Sequence, residues 1–316
     1  MTTALITHEA GFDHLMPPGH PEQVARLAHV LEALEGKELR RVVAPMAAED
    51  DILRVHPKSH IDRLRKAAPS EGWAQIDGDT FLSPGTLEAA WRAAGGSVRA
   101  VDLVMAGEAR NGFVAMRPPG HHAERETPMG FCLFGNVAVA AMHALEHHGL
   151  GRVAVVDFDV HHGNGTQDLL EEDARVFFAS SHQSPLWPGS GGAHETGGHG
   201  NVLNLPLAPG TGGAAFRKAW EDQVFPRLME HRPEFIFVSA GFDAHRDDPL
   251  ANLDLTEADF AWVTERLCAL AEELCDGRLV SCLEGGYDLH ALGRSAAAHV
   301  DALIAAASPP RALAGA

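Results

Sequence analysis

Four short apolar runs break off abruptly into polar or glycine-rich residues: GFVAM (112–116), RVAVVDFD (152–159), EFIFVSA (234–240) and RLVSCLE (278–284). Runs of this length, rich in Val, Ile, Leu and Phe, are what strands buried on both faces require. Segments of helical period lie between them, and that alternation predicts an α/β chain: a mostly parallel central sheet with helices on both faces. In such a sheet, ligands bind outside the carboxyl ends of the strands, which is where the polar residues of these runs fall.

The scaffold helices can be read from their stripes and ends. PEQVARLAHVLEALEG places Pro21 at a favoured first helical position and sets Leu27, Val30, Leu31 and Leu34 on one face. SPGTLEAAWRAAGGSVRAVDLVMAG opens with Ser83 as a cap, and NVAVAAMHALEHHG closes on Gly149. TEADFAWVTERLCALAEELCDG pairs a Thr256 cap with Asp259 and carries Phe260, Val263, Leu267, Leu270 and Leu274 as its buried stripe. No repeat or linker divides the chain, so one domain over 1–308 is expected, with a frayed tail at 309–316.

Composition narrows the partners. Forty-three acidic against 25 basic residues give a net charge of −18, and no basic cluster exceeds LRRV or RLRK, so nucleic acid is excluded and cationic ligands are favoured. No apolar run approaches the roughly 20 residues of a membrane span. The four cysteines, Cys132, Cys268, Cys275 and Cys282, form no CxxC pair and read as reduced core residues. Together with the absence of signal-peptide features in MTTALITHEAG, they predict a cytoplasmic protein. A monomer and a homo-oligomer both remain open.

DFDVHHGNGT (157–166) carries the chemistry. Strand alternation puts Asp157, Asp159 and His161 on one side and Phe158 and Val160 on the other. Two adjacent carboxylates repel unless a cation lies between them, and an imidazole completes a ligand set for a divalent metal. In VSAGFDAHRDDP, Asp243 follows another strand and completes an Asp159–His161–Asp243 site. Three ligands of net charge −2 suit one Zn²⁺ with an open fourth position. Gly163, Gly165 and Gly241 would let backbone pass close to the metal. His121 and His122, after the rigid turn of MRPPGHH, read as a general base and its electrostatic companion. Tyr287, the only tyrosine, is presented by LEGGYD and suits donation to a developing oxyanion.

Taken in order, GHPEQVARL, RPPGHHAE, GFCLFGNVAVAA, VVDFDVHHGNGTQ, SAGFDAHRDDPL and LEGGYD resemble the histone deacetylase family, in particular its class II-like branch and bacterial deacetylase-like amidohydrolases. The resemblance spans nearly the whole chain. It implies an arginase/deacetylase fold, one Zn²⁺ on Asp159, His161 and Asp243, and Tyr287 on the substrate carbonyl. It implies His121 paired with Asp157, and His122 facing Asn164, which is the class II residue at that position. It implies a structural K⁺ on Asp157, Asp159 and His161 with Ser180 and Ser181 nearby. It implies a substrate tunnel walled by Phe131, with Gly130 beside it, and by Trp187, where Phe is more usual. Leu250 would gate that tunnel, His20 would shape its rim, and Arg26 would line a release channel for acetate.

The implied activity is removal of an acyl group, expected to be acetyl, from the terminal amine of lysine or a similar primary amine, peptidyl or small. Acetylpolyamine hydrolysis is the nearest alternative, from which Leu250 leans away. A non-catalytic acyl-amine-binding module is a remote one. The two-Mn²⁺ chemistry of the arginase branch is disfavoured, because Gly163 and Gly241 stand where that branch needs carboxylates.

Overall fold

The apolar runs become strands because nothing else buries both their faces. In the computed structural model, which describes residues 1–308, the strands are β1 (Thr3–Thr7), β2 (Leu39–Val43), β3 (Ala74–Gln75), β4 (Phe81–Leu82), β5 (Asn111–Val114), β6 (Val153–Asp157), β7 (Val176–Gln183), β8 (Val202–Leu207), β9 (Ile236–Ala240) and β10 (Leu279–Leu283). The helices are α1 (Ala10–Asp13), α2 (Val24–Ala33), α3 (Glu49–Leu53), α4 (Lys58–Ala67), α5 (Thr86–Met105), α6 (Asn136–Glu146), α7 (Asn164–Leu170), α8 (Gly213–Ala219), α9 (Phe225–His231), α10 (Glu257–Cys275) and α11 (Leu289–Ala307), with a π-helical turn at Trp220–Val224. The tail expected at 309–316 lies outside the described residues.

Eight strands form one parallel sheet in the order β2-β1-β5-β10-β9-β6-β7-β8, and β3 and β4 make a separate antiparallel pair. All four runs singled out in the sequence, now β5, β10, β9 and β6, are adjacent at the sheet's centre. Their alternation feeds two cores. Val153 and Val155 of β6 join Val176, Phe178, Phe235 and Phe237 beneath α4, α5 and α6. Ala154 and Val156 join Phe177, Ile236 and Val238 beneath α2, α10 and α11. Burying a single Phe or Val side chain of this kind contributes about 1.5–3 kcal/mol, which is why the central strands are mainly apolar, with Asn111, Asp157, Ser239 and Ser281 as their polar members. No helix among the described residues is long and apolar enough to cross a membrane.

Three local expectations need correction. Strand β6 stops at Asp157 rather than running to Asp159, because the Asp157 carboxylate accepts the Asp159 N–H at 3.0 Å and turns the chain. Pro21 does not start α2, which begins at Val24, since neighbouring Glu22 is held in a buried ion cluster with Arg26 and Arg117. Ser83 does not cap α5: its N–H donates to the Thr86 hydroxyl at 2.8 Å, and its own hydroxyl accepts the Leu15 N–H at 3.0 Å. The start of α10 is as expected, with the Asp259 carboxylate accepting the Thr256 N–H at 2.9 Å. Phe260, Val263, Leu267 and Leu270 are buried on its stripe and Leu274 is half-buried.

Candidate active site and metal centre

The segments leaving β5, β10, β9 and β6 meet over the carboxyl edge of the sheet. From β6 and β9 come Asp159, His161 and Asp243, all buried, each offering a ligand atom within 4.8 Å of the others. The Asp159 carboxylate accepts the His161 N–H at 2.9 Å and the Gly285 N–H at 2.8 Å. Asp243 accepts the Val160 N–H at 2.9 Å, and His161 Nδ1 lies 3.1 Å from Asp243 Oδ2 and 3.2 Å from Asp159 Oδ1. A Cβ placed on Gly241 would strike the Asp159 carboxylate, and one on Gly285 would strike that of Asp243. Likewise a Cβ on Gly163 would strike Asp157, so neither Gly163 nor Gly241 leaves room for the extra carboxylates of a two-metal site.

The electrostatics of this cage are those of donors pressed together. Burial and the Asp159 charge push the Asp243 carboxyl up to about 7. Burial disfavours the charged His161 ring, but the two carboxylates outweigh it and raise the imidazole to about 10. Such a set is eased by a divalent cation among its members.

The histidine pair from beyond β5 is placed asymmetrically. His121 Nδ1 lies 2.9 Å from Asp157 Oδ2, and its Nε2 lies 3.7 Å from Asp159 Oδ2. Burial opposes charge on His121, yet Asp159 and Asp157 raise it well above the ordinary imidazole value. His122 faces no carboxylate: its Nδ1 lies 2.7 Å from the Asn164 amide oxygen. Burial, then the neighbouring His121 and His161, hold His122 well below the ordinary value. The Asn164 amide nitrogen donates to Glu124 at 2.8 Å, which turns its oxygen toward His122. That oxygen can only accept, so Nδ1 of His122 carries the proton and Nε2 is left as the lone pair of a ring whose centre lies 5.8 Å from that of His161.

Beyond β10, Tyr287 is oriented through its backbone, whose N–H donates to Asp248 at 2.7 Å, and the Arg26 guanidinium lies 4.8 Å from its ring centre. Burial raises the phenol well above its usual value and keeps it protonated as a donor. A cavity of about 400 Å³ opens above, lined among others by His122, His161, Tyr287, Gly130, Phe131, Trp187 and Leu250. His20 also borders it, edge-on to Phe131 at 4.9 Å. Gly130 has φ +55°, and a Cβ there would collide with the His122 and Trp187 rings. Phe131 itself has φ +69°, a left-handed conformation worth about 1–2 kcal/mol against a non-glycine residue, and its N–H is tied to the Thr80 hydroxyl at 3.0 Å.

Every residue assigned to metal, base or tunnel from the sequence therefore meets at this edge, and one assignment takes a different shape. Ser180 pairs in register with Asp157 and shares its side of the sheet, but the Ser181 hydroxyl faces the opposite core and accepts the Trp220 indole N–H at 3.1 Å. Arg26 is fully buried, donating to the Gly286 carbonyl at 2.6 Å and to Glu22 at 3.0 Å. Sequence reasoning passed over Glu284, Glu124, Asp248, Glu22 and Arg117. Glu284 accepts the Gly120 and His121 N–H groups at 2.7 and 3.1 Å, and burial raises it to about 7. Its signal was available: a glutamate directly following an apolar strand must be partnered.

An eight-stranded parallel sheet with this cage at its carboxyl edge is the arginase/deacetylase fold. The crystal structure of the HDA15 HD domain is similar, with a TM-score of 0.91 and 32% identity over 96% of this chain and 89% of that one. Within that class, residues 20–303 match the histone deacetylase domain, and the chain belongs to the histone deacetylase family. It is 44% identical over 301 residues to rice "Histone deacetylase 10, chloroplastic", covering 88% of this chain and 68% of that one. It is 42% identical over 285 residues to the "Histone deacetylase-like amidohydrolase" of Pseudomonas aeruginosa, covering 86% and 74%. A "Probable deacetylase" of Archaeoglobus fulgidus is 40% identical over 298 residues, covering 92% and 82%.

Proposed function

We propose that this chain is a zinc-dependent amidohydrolase that removes an acetyl group from the terminal amine of lysine or a similar primary amine. The observation that carries this reading is the convergence, at and beneath the floor of one cavity lined by His122, His161 and Tyr287, of a two-carboxylate, one-imidazole donor set, a His pair with unlike partners, and a phenol. Family membership and the names of the relatives support a deacetylase or amidohydrolase.

The donor set fits zinc. Asp159, His161 and Asp243 are borderline-to-hard ligands of total charge −2, in a cradle kept open by Gly241 and Gly285, and three protein ligands would be the count of a catalytic rather than a structural zinc site. When bound there, the ion supplies Lewis acidity to the acyl carbonyl and lowers the pKa of a water towards ~7. The chain's own groups do the rest. Phe131 and Trp187 flank the slender alkyl stem of the substrate and exclude water from it. His122 Nε2 takes a proton as the water oxygen attacks the carbonyl carbon, and Tyr287 donates its hydroxyl proton in a hydrogen bond to the oxygen as negative charge develops. On collapse the C–N bond breaks and His122 returns the proton to the departing amine, leaving acetate and a free amine. His121, clamped by Asp157, has its charged form favoured and so steadies the negative charge that builds up beside it.

A structural K⁺ on Asp157, Asp159 and His161, with Ser180, belongs to the same proposal. Two wholly buried carboxylates two residues apart support it. Acetate release past Arg26 and a cytoplasmic location are also part of the proposal, the latter supported by four buried free thiols. One observation favours acetylated polyamines as a second reading: Asp79 lines the cavity of a chain with net charge −18. A panel of acetyl-lysine peptide, acetylputrescine and acetylspermidine, with a chelator control, separates the two. Zinc-restorable acetate release with the highest kcat/KM on the peptide is expected; higher kcat/KM on the polyamines moves the substrate, and no turnover after zinc loading refutes the enzyme.

A further inference from the structure

At the end of α6, three imidazoles and a carboxylate converge that the chemistry above does not use. His143 lies in the last turn of α6, His147 and His148 follow directly, and Asp102 faces them from α5. His143 and His147 are four residues apart and so share a helix face; their rings stack at 4.6 Å with 13° between planes. His148 stands edge-on to both, at 5.2 and 4.9 Å. The Nε2 atoms of His143 and His148 each lie 2.8 Å from the same Oδ1 of Asp102, and one donor atom from each of the four residues lies within 4.8 Å of all the others. The remaining nitrogen of His143, Nδ1, is buried without a hydrogen-bond partner, with Asp51 Oδ1 3.5 Å away.

Topology separates this cluster from the catalytic floor. Helix α6 begins beside the His pair, where Asn136 donates to the Pro118 carbonyl at 3.2 Å. It then runs back along the sheet for 11 residues, a length of roughly 16 Å at 1.5 Å per residue. The cluster therefore lies toward the opposite edge of the strands.

We propose that Asp102, His143, His147 and His148 form a second metal site, for a divalent transition ion of the zinc, nickel or copper kind, that ties the end of α6 to α5. Three imidazoles select such ions over Mg²⁺ or Ca²⁺, which prefer oxygen. Four protein ligands close a tetrahedral shell, the pattern of a structural rather than a catalytic ion. Around bonds of ~2.0–2.1 Å, tetrahedral donors are about 3.3–3.4 Å apart, so the pairs now 2.8 Å apart open by roughly 0.5 Å, and the exposed His147 ring turns out of its 13° stack on His143 to aim a nitrogen at the shared ion. Asp51 then serves as the outer carboxylate that orients the ligating His143 ring. His147 is exposed, which gives the ion its route in.

The test is zinc stoichiometry on the full chain, by equilibrium dialysis at buffered free Zn²⁺ and elemental analysis, alongside thermal unfolding. The wild type binds two ions per chain, and filling the second site to 100 times its Kd raises Tm by about 3–6 °C. His147→Ala and Asp102→Asn each weaken the second ion by more than about 100-fold, beyond what losing an outer-shell partner costs, and abolish the Tm gain. His147→Ala, exposed and remote from the cavity, keeps its deacetylase rate within about twofold. A wild type that binds one ion only, or variants that bind the second as tightly as the wild type, overturn the proposal.

Discussion

Gly241→Ala tests the cage without replacing a ligand. The added Cβ would occupy the space of the Asp159 carboxylate. That carboxylate has nowhere to go: one oxygen is fixed by the Gly285 N–H at 2.8 Å and the other by the His161 N–H at 2.9 Å. Moving it breaks both bonds, and hydrogen bonds to a charged group are worth about 1.5–3 kcal/mol each, giving roughly 3–6 kcal/mol in all. If that falls on metal binding, Kd weakens by about 10²–10⁴. The assay is zinc bound at buffered free Zn²⁺ in a His147→Ala background, with kcat on acetyl-lysine peptide measured in parallel. Thermal unfolding of chelator-treated protein shows what share of the penalty falls on the fold instead. A variant with zinc affinity and unfolding both within threefold and 2 °C of the parent would refute the reasoning, because the carboxylate would then be free to move.

Three further outcomes follow from the same geometry. Tyr287→Phe removes one oxyanion donor and is expected to lower kcat on acetyl-lysine by about 10²–10³ with zinc content unchanged; full kcat would remove the phenol from the reaction. Asn164→Asp sets a carboxylate 2.7 Å from His122 Nδ1. At an effective dielectric near 20 a charge pair at ~4 Å is worth about 4 kcal/mol, or about three pKa units, which the nearby Glu124 reduces. The acid limb of kcat/KM therefore moves to higher pH by about 1–3 units, and an unmoved limb argues against His122 as the base. His299 is buried between Thr264 and Ser281, and burial lowers it to about 3. The unfolded chain takes up a proton near pH 6.5 that the fold refuses, so this contribution to stability is lost as pH falls from about 6.5 toward 3. His299→Gln should shrink the difference in unfolding free energy between pH 7.5 and 5.5 by about 1.4 kcal/mol, whatever its effect at either pH alone. An unchanged difference in urea melts contradicts the depressed value.

The sheet and the ligands were legible for one reason: strands buried on both faces leave an unmistakable apolar signature, and whatever polar group follows them must be partnered. Asp157 closes such a run, and Asp159, Asp243 and Tyr287 sit two to four residues beyond the ends of β6, β9 and β10. What stayed illegible was held together across the chain rather than along it. Glu22 pairs with both Arg26 and Arg117, the latter 95 residues away, and Glu124 orients Asn164 from 40 residues away; no local spacing announces the longer pairings. The end of β6 is not legible because the Asp157 carboxylate accepts the backbone N–H of Asp159, two residues on, and this bond outcompetes the ladder, which periodicity does not register. Ser180 and Ser181 were given one role, although strand alternation itself sends their hydroxyls to opposite faces.

The most direct measurement strips all metal from the His147→Ala protein, returns Zn²⁺ in known increments, and follows acetate release from an acetyl-lysine peptide together with bound zinc. The rate should rise from baseline in proportion to bound ion and level off at one per chain, with Asp243→Ala neither binding tightly nor turning over. A stripped protein as fast as the reloaded one, or an Asp243→Ala protein that still cleaves at the parental rate, would contradict it.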